Sequence, residues 1–425
     1  MEQNRFKSKF GFLISAIGGT VGLGNIWMFP YKLQKYGGLF LYTYLLLSFT
    51  IGVTLLSFEF ILGKHFRCNV MQLYRANTTK IKYIGLMTVI SPLIILMYYC
   101  AAGGMCIKYL LLNLFKIFDW NFELQKDCTF ILIFIFIILI YLIDVKGMNE
   151  GIEKFNKFTV PLLMVSTTIW AVILIVNDNC DTLKEFFVLN KNNTLKESVE
   201  IFAVSSEQMF FSLSIAVGTM ITYGALMPDR QKAVSSAFIV TLADTFFALI
   251  ISVVIISSAK TQAGSVNGPN LVFTAMQNVF DSQGNLGNFL GILFYLSIII
   301  AALTSAVSYI EVPVSALLDS STLKRKKALL LCLIITVLPA IYIGQEGFGI
   351  VYRAVVFASE GILVPLTAFL STVNFSYFYG WKFFEKFVNL EIKQVFFKKI
   401  YLFILKYIVE CVIITVIIVQ ILVYL

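Results

Sequence analysis

At 425 residues, 59% hydrophobic and only 13% charged, the chain lies far below the roughly 25% charge of a soluble domain. That excludes a protein of mainly soluble mass. The net charge of +9 would suggest nucleic acid in a soluble protein, but here the basic residues gather in alternate loops, so the charge reports orientation and no nucleic-acid partner is expected.

Apolar segments long enough to span a bilayer fall at about 10–35, 38–63, 84–113, 129–145, 156–176, 200–226, 236–259, 287–317, 328–343, 350–377 and 401–424. The prediction is an all-α polytopic membrane protein with eleven transmembrane helices. A single domain covers 1–425. Met1 to Phe10 is short and basic, and the first span runs on past the length of a cleavable signal peptide, so none is expected. Lys7, Lys9, Lys64, Arg67, Lys146, Lys154, Arg230, Lys232 and Lys324 to Lys327 share one side. The positive-inside rule then places the N-terminus in the cytoplasm, and an odd span count places the C-terminus outside. The expected location is the plasma membrane, with the lipid bilayer as partner.

The first span holds Gly18-Gly19-Thr20-Val21-Gly22-Leu23-Gly24-Asn25. Glycine loosens a helix, and an unpaired backbone group in hydrocarbon costs several kcal/mol. Broken backbone is therefore tolerated only where it is buried in protein or lines a binding cavity. Freed carbonyls can hold a small cation, and freed amides a carboxylate. Close helix packing is the other reading. Gly18 and Gly22 fit it, but Gly19, Gly24 and Asn25 do not.

Glu59 in the second span and Glu311 in the eighth are intramembrane acids near the cytoplasmic end and read as parts of structural networks. The sixth span has a small, polar middle, Ser212-Leu213-Ser214-Ile215-Ala216-Val217-Gly218. Two interrupted helices five spans apart are the trace of an inverted five-plus-five repeat with its binding site at the midplane. Here repeat one covers about 10–176, repeat two about 200–377, and an extra helix follows at 401–424. The alternative is that Ser212 and Ser214 merely bond back to carbonyls one turn earlier. Asp244 lies deep in the seventh span, where a carboxylate marks a functional site or a structural hydrogen-bond partner. Thr304 and Ser305 place two hydroxyls at one level of the eighth span. With freed carbonyls they suit a hard alkali cation.

Polar excursions fall at Asn177–Glu200 and Lys260–Gly287, the second reading as a cap or re-entrant segment. The seven cysteines have no metal-ligand spacing. Cys128 and Cys180 fall on the same side and either pair or stay free. His65, the one histidine, reads as a surface residue. It leaves no His-dependent catalytic arrangement, and an enzyme is not expected.

Together these residues resemble the neurotransmitter:sodium symporter family, in its eleven-helix bacterial amino-acid branch. Thr20 to Pro30 matches the helix 1 motif, Phe210 to Ser214 that of helix 6, Ala301 to Ser305 that of helix 8, and Gly268-Pro269-x-Leu271-x-Phe273 the outer loop. The resemblance runs over about 6–380. It implies sodium-coupled symport of an amino acid by alternating access. A transporter-like sensor without flux, or an ion channel, are the alternatives.

The resemblance further implies two sodium ions. One is held by the carbonyls of Gly18, Val21 and Ala301 with the hydroxyls of Thr304 and Ser305. The other is held by the Thr20 carbonyl, Asn25, Ser212, Asp244 and the substrate carboxylate. Asp244 already supplies a negative charge, so chloride is not expected. Around the substrate it places Thr20, Gly22, Gly24, Ile95, Tyr99, Phe211, Ser212, Ser214, Val217, Ser305 and Tyr309. Gly22 leaves room for a substrate carboxylate bonded by Tyr99, while Phe211 closes over it. The side-chain pocket, from Ile95, Tyr99, Phe211, Ser214, Val217, Ser305 and Tyr309, is uncharged and suits a neutral amino acid, large and apolar or aromatic. The implied assembly is a monomer or weak dimer. Met28 and Val356 stand where the family carries the Arg and Asp of its outer gate, so apolar packing is expected there. Asp319 fits the acid of the inner gate, with Arg5 its nearest basic candidate but off the family spacing.

Overall fold

In hydrocarbon every backbone amide and carbonyl must find a partner within the protein, which leaves helices as the building unit of a sequence this apolar. The computed structural model describes residues 5–77, 83–120, 128–177, 181–189, 194–259, 269, 271–378 and 381–424. Every regular element among the described residues is a helix, and none is a strand. The first half comprises α1 (Lys9–Thr20), α2 (Phe29–Leu47), α3 (Val53–Phe66), α4 (Val70–Asn77), α5 (Ile84–Ile117), α6 (Thr129–Asp144), α7 (Lys154–Asn177) and α8 (Asp181–Phe186). The second comprises α9 (Leu195–Ser212), α10 (Thr219–Ala225), α11 (Ala233–Ala259), α12 (Met276–Ser282), α13 (Gly284–Ser320), α14 (Arg325–Glu346), α15 (Ile350–Val356) and α16 (Val364–Val373). The chain closes with α17 (Trp381–Glu391), α18 (Val395–Phe403) and α19 (Val409–Tyr424). Eight helical stretches among the described residues are long and apolar enough to cross a membrane, and α6 is a shorter apolar helix.

Several boundaries differ from the sequence expectation. The first two spans form no separate hairpin loop: the chain turns within α2 at Gly37, whose φ of 62° is left-handed. Ser8 starts α1, its hydroxyl accepting from the Gly11 amide at 2.9 Å. Thr194 and Glu197 form a reciprocal capping box at the start of α9. The expected cap is present in part: a π-helical turn, Leu271–Ala275, and α12 are largely buried. Residues 260–268 and 270, including Gly264 and Gly268, lie outside the described residues. So does Cys180; Cys128 is a free, half-buried thiol. His65 is half-buried and stacks on Phe387 at 4.3 Å, rather than lying free on the surface.

The bundle is arranged around the long helices α5 and α13, which lie against one another, with α1 packed on α13 and α7. Two elements at its centre are broken. α1 ends at Thr20, and Val21 leaves the helix at ψ 100° before a π-helical turn begins at Gly24. α9 ends at Ser212 and α10 begins at Thr219. Between them Ser214, Ala216 and Gly218 have φ of 50°, 65° and 80°. Left-handed backbone costs an ordinary L-residue about 1–2 kcal/mol, so the surroundings must hold this conformation. Glu59 does part of that: its Oε1 accepts from the freed amide of Ala216 at 2.6 Å. The structural network expected of Glu59 is thus a cap on the unwound segment.

At the end of the bundle where α1 begins, ionic contacts tie the chain together. Arg5 pairs with Asp229 at 3.1 Å, and so does Arg67 at 2.7 Å. Asp319 instead accepts from Asn69 at 2.6 Å, so the pairing of Arg5 with Asp319 is not formed. Arg5 lies beside the loop after α10, and Asp229 takes both guanidinium groups. Arg325 pairs with Asp144 at 2.9 Å and also with Glu311. Glu311 therefore belongs to a network, as expected. Lys7 pairs with Glu150, whose hydrogen bond and charge raise the lysine's pKa.

Glu59→Ala leaves the Ala216 amide buried without an acceptor, a loss of about 1–3 kcal/mol. The variant is expected to unfold at lower temperature in detergent. Glu59→Gln, which keeps an acceptor, is expected to lose less.

Candidate functional site

The two breaks meet. The Ser214 hydroxyl donates to the Gly19 carbonyl at 2.9 Å and lies 3.3 Å from the Tyr309 hydroxyl. Ser212 donates to Asp244 Oδ2 at 2.6 Å. Neither serine bonds back along its own helix in these contacts; both reach across to neighbouring elements.

Two oxygen-rich clusters lie on either side of the first break. In one, the Asn25 amide donates to Ser212 Oγ at 3.0 Å and to Asp244 Oδ1 at 2.9 Å. Its own Oδ1 accepts from the Gly22 amide at 3.1 Å. Tyr44 adds a hydroxyl 3.4 Å from Asp244 Oδ2, and Gln208 donates to the Gly24 carbonyl at 3.3 Å. In the other, the Ser305 hydroxyl lies 3.3 Å from the Gly18 carbonyl and 3.2 Å from that of Val21. Thr304 donates to the Ala301 carbonyl at 2.9 Å. All the side chains of both clusters are fully or almost fully buried. Among the described residues no group of three His, Cys, Asp or Glu could hold a metal ion. The donors gathered here are hydroxyl, amide, carbonyl and a single carboxylate, the set that suits a hard monovalent cation.

Between the clusters the glycines are sterically required. A Cβ on Gly22 would lie 2.6 Å from Ser305 Oγ and 2.8 Å from the Tyr99 hydroxyl. A Cβ on Gly24 would lie 2.3 Å from the Phe211 ring. Gly18 also serves packing, its Cβ position facing Val160 at 2.9 Å and Thr304 at 3.3 Å. Tyr99 and Tyr309 meet edge to face at 5.2 Å, and Ile95, Phe211 and Val217 are buried. The Thr20 hydroxyl bonds back to the Ile17 carbonyl at 3.0 Å, consistent with a role confined to its backbone.

Away from the α1 start, an aromatic layer covers these clusters. Trp27 lies 6.2 Å from both Phe273 and Phe348, which stack on one another at 5.7 Å. Phe348 meets Tyr352 at 5.2 Å, and Tyr352 meets Tyr98 at 5.7 Å. Met28 and Val356 are half-buried beside this layer. At the opposite end a cavity of ≈ 260 Å³ is lined by residues including Asn69, Glu311, Asp319 and Arg325.

The family model described as the sodium:neurotransmitter symporter family matches residues 3–129 and 123–425. The chain belongs to that family. It is 26% identical over 412 residues to an uncharacterized sodium-dependent transporter of Methanocaldococcus jannaschii, covering 89% of this chain and 83% of that one. It is 28% identical over 339 residues to another from Bacillus subtilis, covering 76% and 74%. The crystal structure of MhsT in complex with L-phenylalanine superposes with a TM-score of 0.87 at 25% identity, covering 98% of this chain and 99% of that one. The chain is therefore a sodium-dependent transporter embedded in the membrane, with relatives that are transporters and not enzymes.

Sequence reasoning missed several charged or polar neighbours of the site. Lys32, 7% exposed, pairs with Glu207 at 3.1 Å. Glu360, also buried, accepts from the Tyr98 hydroxyl. It borders a small cavity together with Phe211, Val217 and Tyr309, three of the residues expected to line an uncharged pocket. Lys32 and Glu360 lie four residues after Met28 and Val356, one helical turn from the positions where charge was sought. That spacing was the available signal. Asn156, buried beside Gly18 with both amide atoms unpartnered among the described residues, was also missed.

Gly22→Ala is expected to displace the Tyr99 and Ser305 hydroxyls and abolish sodium-dependent transport while the protein still folds. Uptake into proteoliposomes, measured beside the unfolding temperature in detergent, checks both halves.

Proposed function

We propose that the chain is a sodium-coupled symporter carrying a neutral amino acid, large and apolar or aromatic, into the cell by alternating access. The observation that carries this reading is the junction of the two broken helices. Around it the Asn25–Ser212–Asp244 cluster and the Gly18–Val21–Ser305 cluster flank the space beside Gly22. The likeness to MhsT, whose crystal holds L-phenylalanine, supports an amino acid as substrate.

In this reading two sodium ions are cargo. The first is held by the Thr20 carbonyl, Asn25, Ser212, Asp244 and the substrate carboxylate. The second is held by the carbonyls of Gly18, Val21 and Ala301 with Thr304 and Ser305. A ligand shared between ion and substrate couples their binding, each raising the affinity of the other. Tyr99 bonds the substrate carboxylate, and Phe211 closes over the ring or chain. Each sodium entering down 100 mV contributes about 2.3 kcal/mol. Two would support roughly a thousandfold accumulation, since 1.4 kcal/mol is tenfold. The architecture is eleven spans in two inverted repeats, with the N-terminus in the cytoplasm and the C-terminus outside the plasma membrane. The pathway lies within one chain, so a monomer or weak dimer suffices.

Thr304→Val with Ser305→Ala keeps side-chain volume nearly constant and removes two ion ligands. Uptake of labelled amino acid is expected to fail in this pair and in Asp244→Ala. Wild-type sodium affinity in either variant would show that the ion is held elsewhere. Amino-acid binding without uptake in the wild type would mark a sensor instead.

Replacing chloride by gluconate is expected to leave uptake unchanged, because Asp244 supplies the negative charge beside the first ion. A large loss of uptake on chloride removal would contradict that assignment.

A further inference from the structure

Phe211, Val217 and Tyr309 border a small cavity, and two acids border it with them, Glu207 and Glu360. Glu207 is fully engaged. Its Oε1 is paired with Lys32 at 3.1 Å, and its Oε2 accepts from the Gln420 amide at 3.1 Å. Glu360 is not. It is 4% exposed, and one oxygen accepts from the Tyr98 hydroxyl. Its Oε2 has no partner among the described residues. It sits on a π-helical turn, Phe357–Leu363, a local geometry that is frequent at functional sites.

A buried polar atom without a partner is uncommon in folded proteins and calls for an explanation. The neighbouring cation does not supply one: Lys32 is bonded to Glu207, and Glu360 Oε2 has no partner among the described residues. The orphaned atom also lies on a residue bordering the space that the proposed reading gives to the substrate side chain.

We propose that Glu360 is a specificity-determining residue, whose free oxygen receives a hydrogen-bond donor at the end of the substrate side chain. The inference rests on the reading that the cavity beside Phe211, Val217 and Tyr309 takes that side chain. A phenol O–H or an indole N–H would satisfy the oxygen, and so would an ammonium group. A phenyl ring or branched alkyl chain would seal it from water with no donor. Sites built around a hydrogen bond reject analogues that lack it far more strongly than apolar pockets reject an added group. The preferred neutral substrates are thus tyrosine and tryptophan over phenylalanine and leucine.

The test measures equilibrium binding of phenylalanine, leucine, tyrosine, tryptophan and lysine to the purified full chain in saturating sodium. Wild type is compared with Glu360→Leu and Glu360→Gln. Wild type is expected to bind tyrosine or tryptophan about tenfold more tightly than phenylalanine, the scale of leaving a buried acceptor without its donor. In Glu360→Leu that ratio is expected to shrink to within about threefold. Glu360→Gln keeps an acceptor and is expected to hold an intermediate ratio, which serves should the leucine variant not fold. Equal wild-type binding of phenylalanine and tyrosine overturns the proposal, as does a preference that survives in both variants. Sodium-linked binding in the same assay would leave the transport reading standing. Lysine binding most tightly, and only with Glu360 present, would support the donor assignment and overturn the neutral-substrate reading.

Discussion

The structure depends on the way two broken helices satisfy one another in a medium that offers no water. Once α1 stops at Thr20 and α9 at Ser212, carbonyls and amides are freed at the centre of the bundle. Each must be paired or given a use. Ser214 takes the Gly19 carbonyl, Glu59 takes the Ala216 amide, and Ser305 takes the carbonyls of Gly18 and Val21. The partners come from the other break and from α3 and α13, so the breaks and the surrounding scaffold hold one another in place. The oxygen clusters arise from this same pairing, because the groups that stabilise freed backbone are the groups that can solvate a small cation.

Packing and chemistry are difficult to separate at such a site. Gly18 packs against Val160 and also presents its carbonyl to Ser305. Gly22 and Gly24 provide the close approach of Tyr99, Ser305 and Phe211. A side chain at either position would fill the space between the clusters. The two readings of the glycine run, helix packing and freed backbone, thus both hold, and at Gly18 they hold together.

The two ends of the bundle are closed by different mixtures of contacts, with the buried Lys32–Glu207 pair standing at the aromatic end too. At the α1 start, Asp229 gathers Arg5 and Arg67, and Arg325 joins Asp144 and Glu311. At the other end an aromatic layer around Trp27, Phe273 and Phe348 covers the site. In the proposed alternating-access reading, one set of contacts opens while the other holds. The aromatic layer draws on apolar burial, which is non-directional. The ion pairs draw on geometry and charge, which a small displacement weakens.

The membrane class and the helical break near Gly22 were legible in the sequence, and Asn25, Asp244, Thr304 and Ser305 stood out there as polar residues within apolar spans. Hydrocarbon makes polar and flexible residues costly, so each one within an apolar span is informative without knowledge of its neighbours. The partners of Glu59, Lys32, Asp319 and Glu360 were not legible. Glu59 meets an amide 157 residues away, and Lys32 meets a carboxylate 175 residues away. Which turn of one helix faces which turn of another is fixed by packing, and a displacement of four residues leaves the local sequence pattern unchanged. The sequence alone therefore determined where the chain must break and which oxygens could serve. Only the tertiary structure decided which charges meet, because an ion pair between helices depends on register and rotation that no single segment encodes.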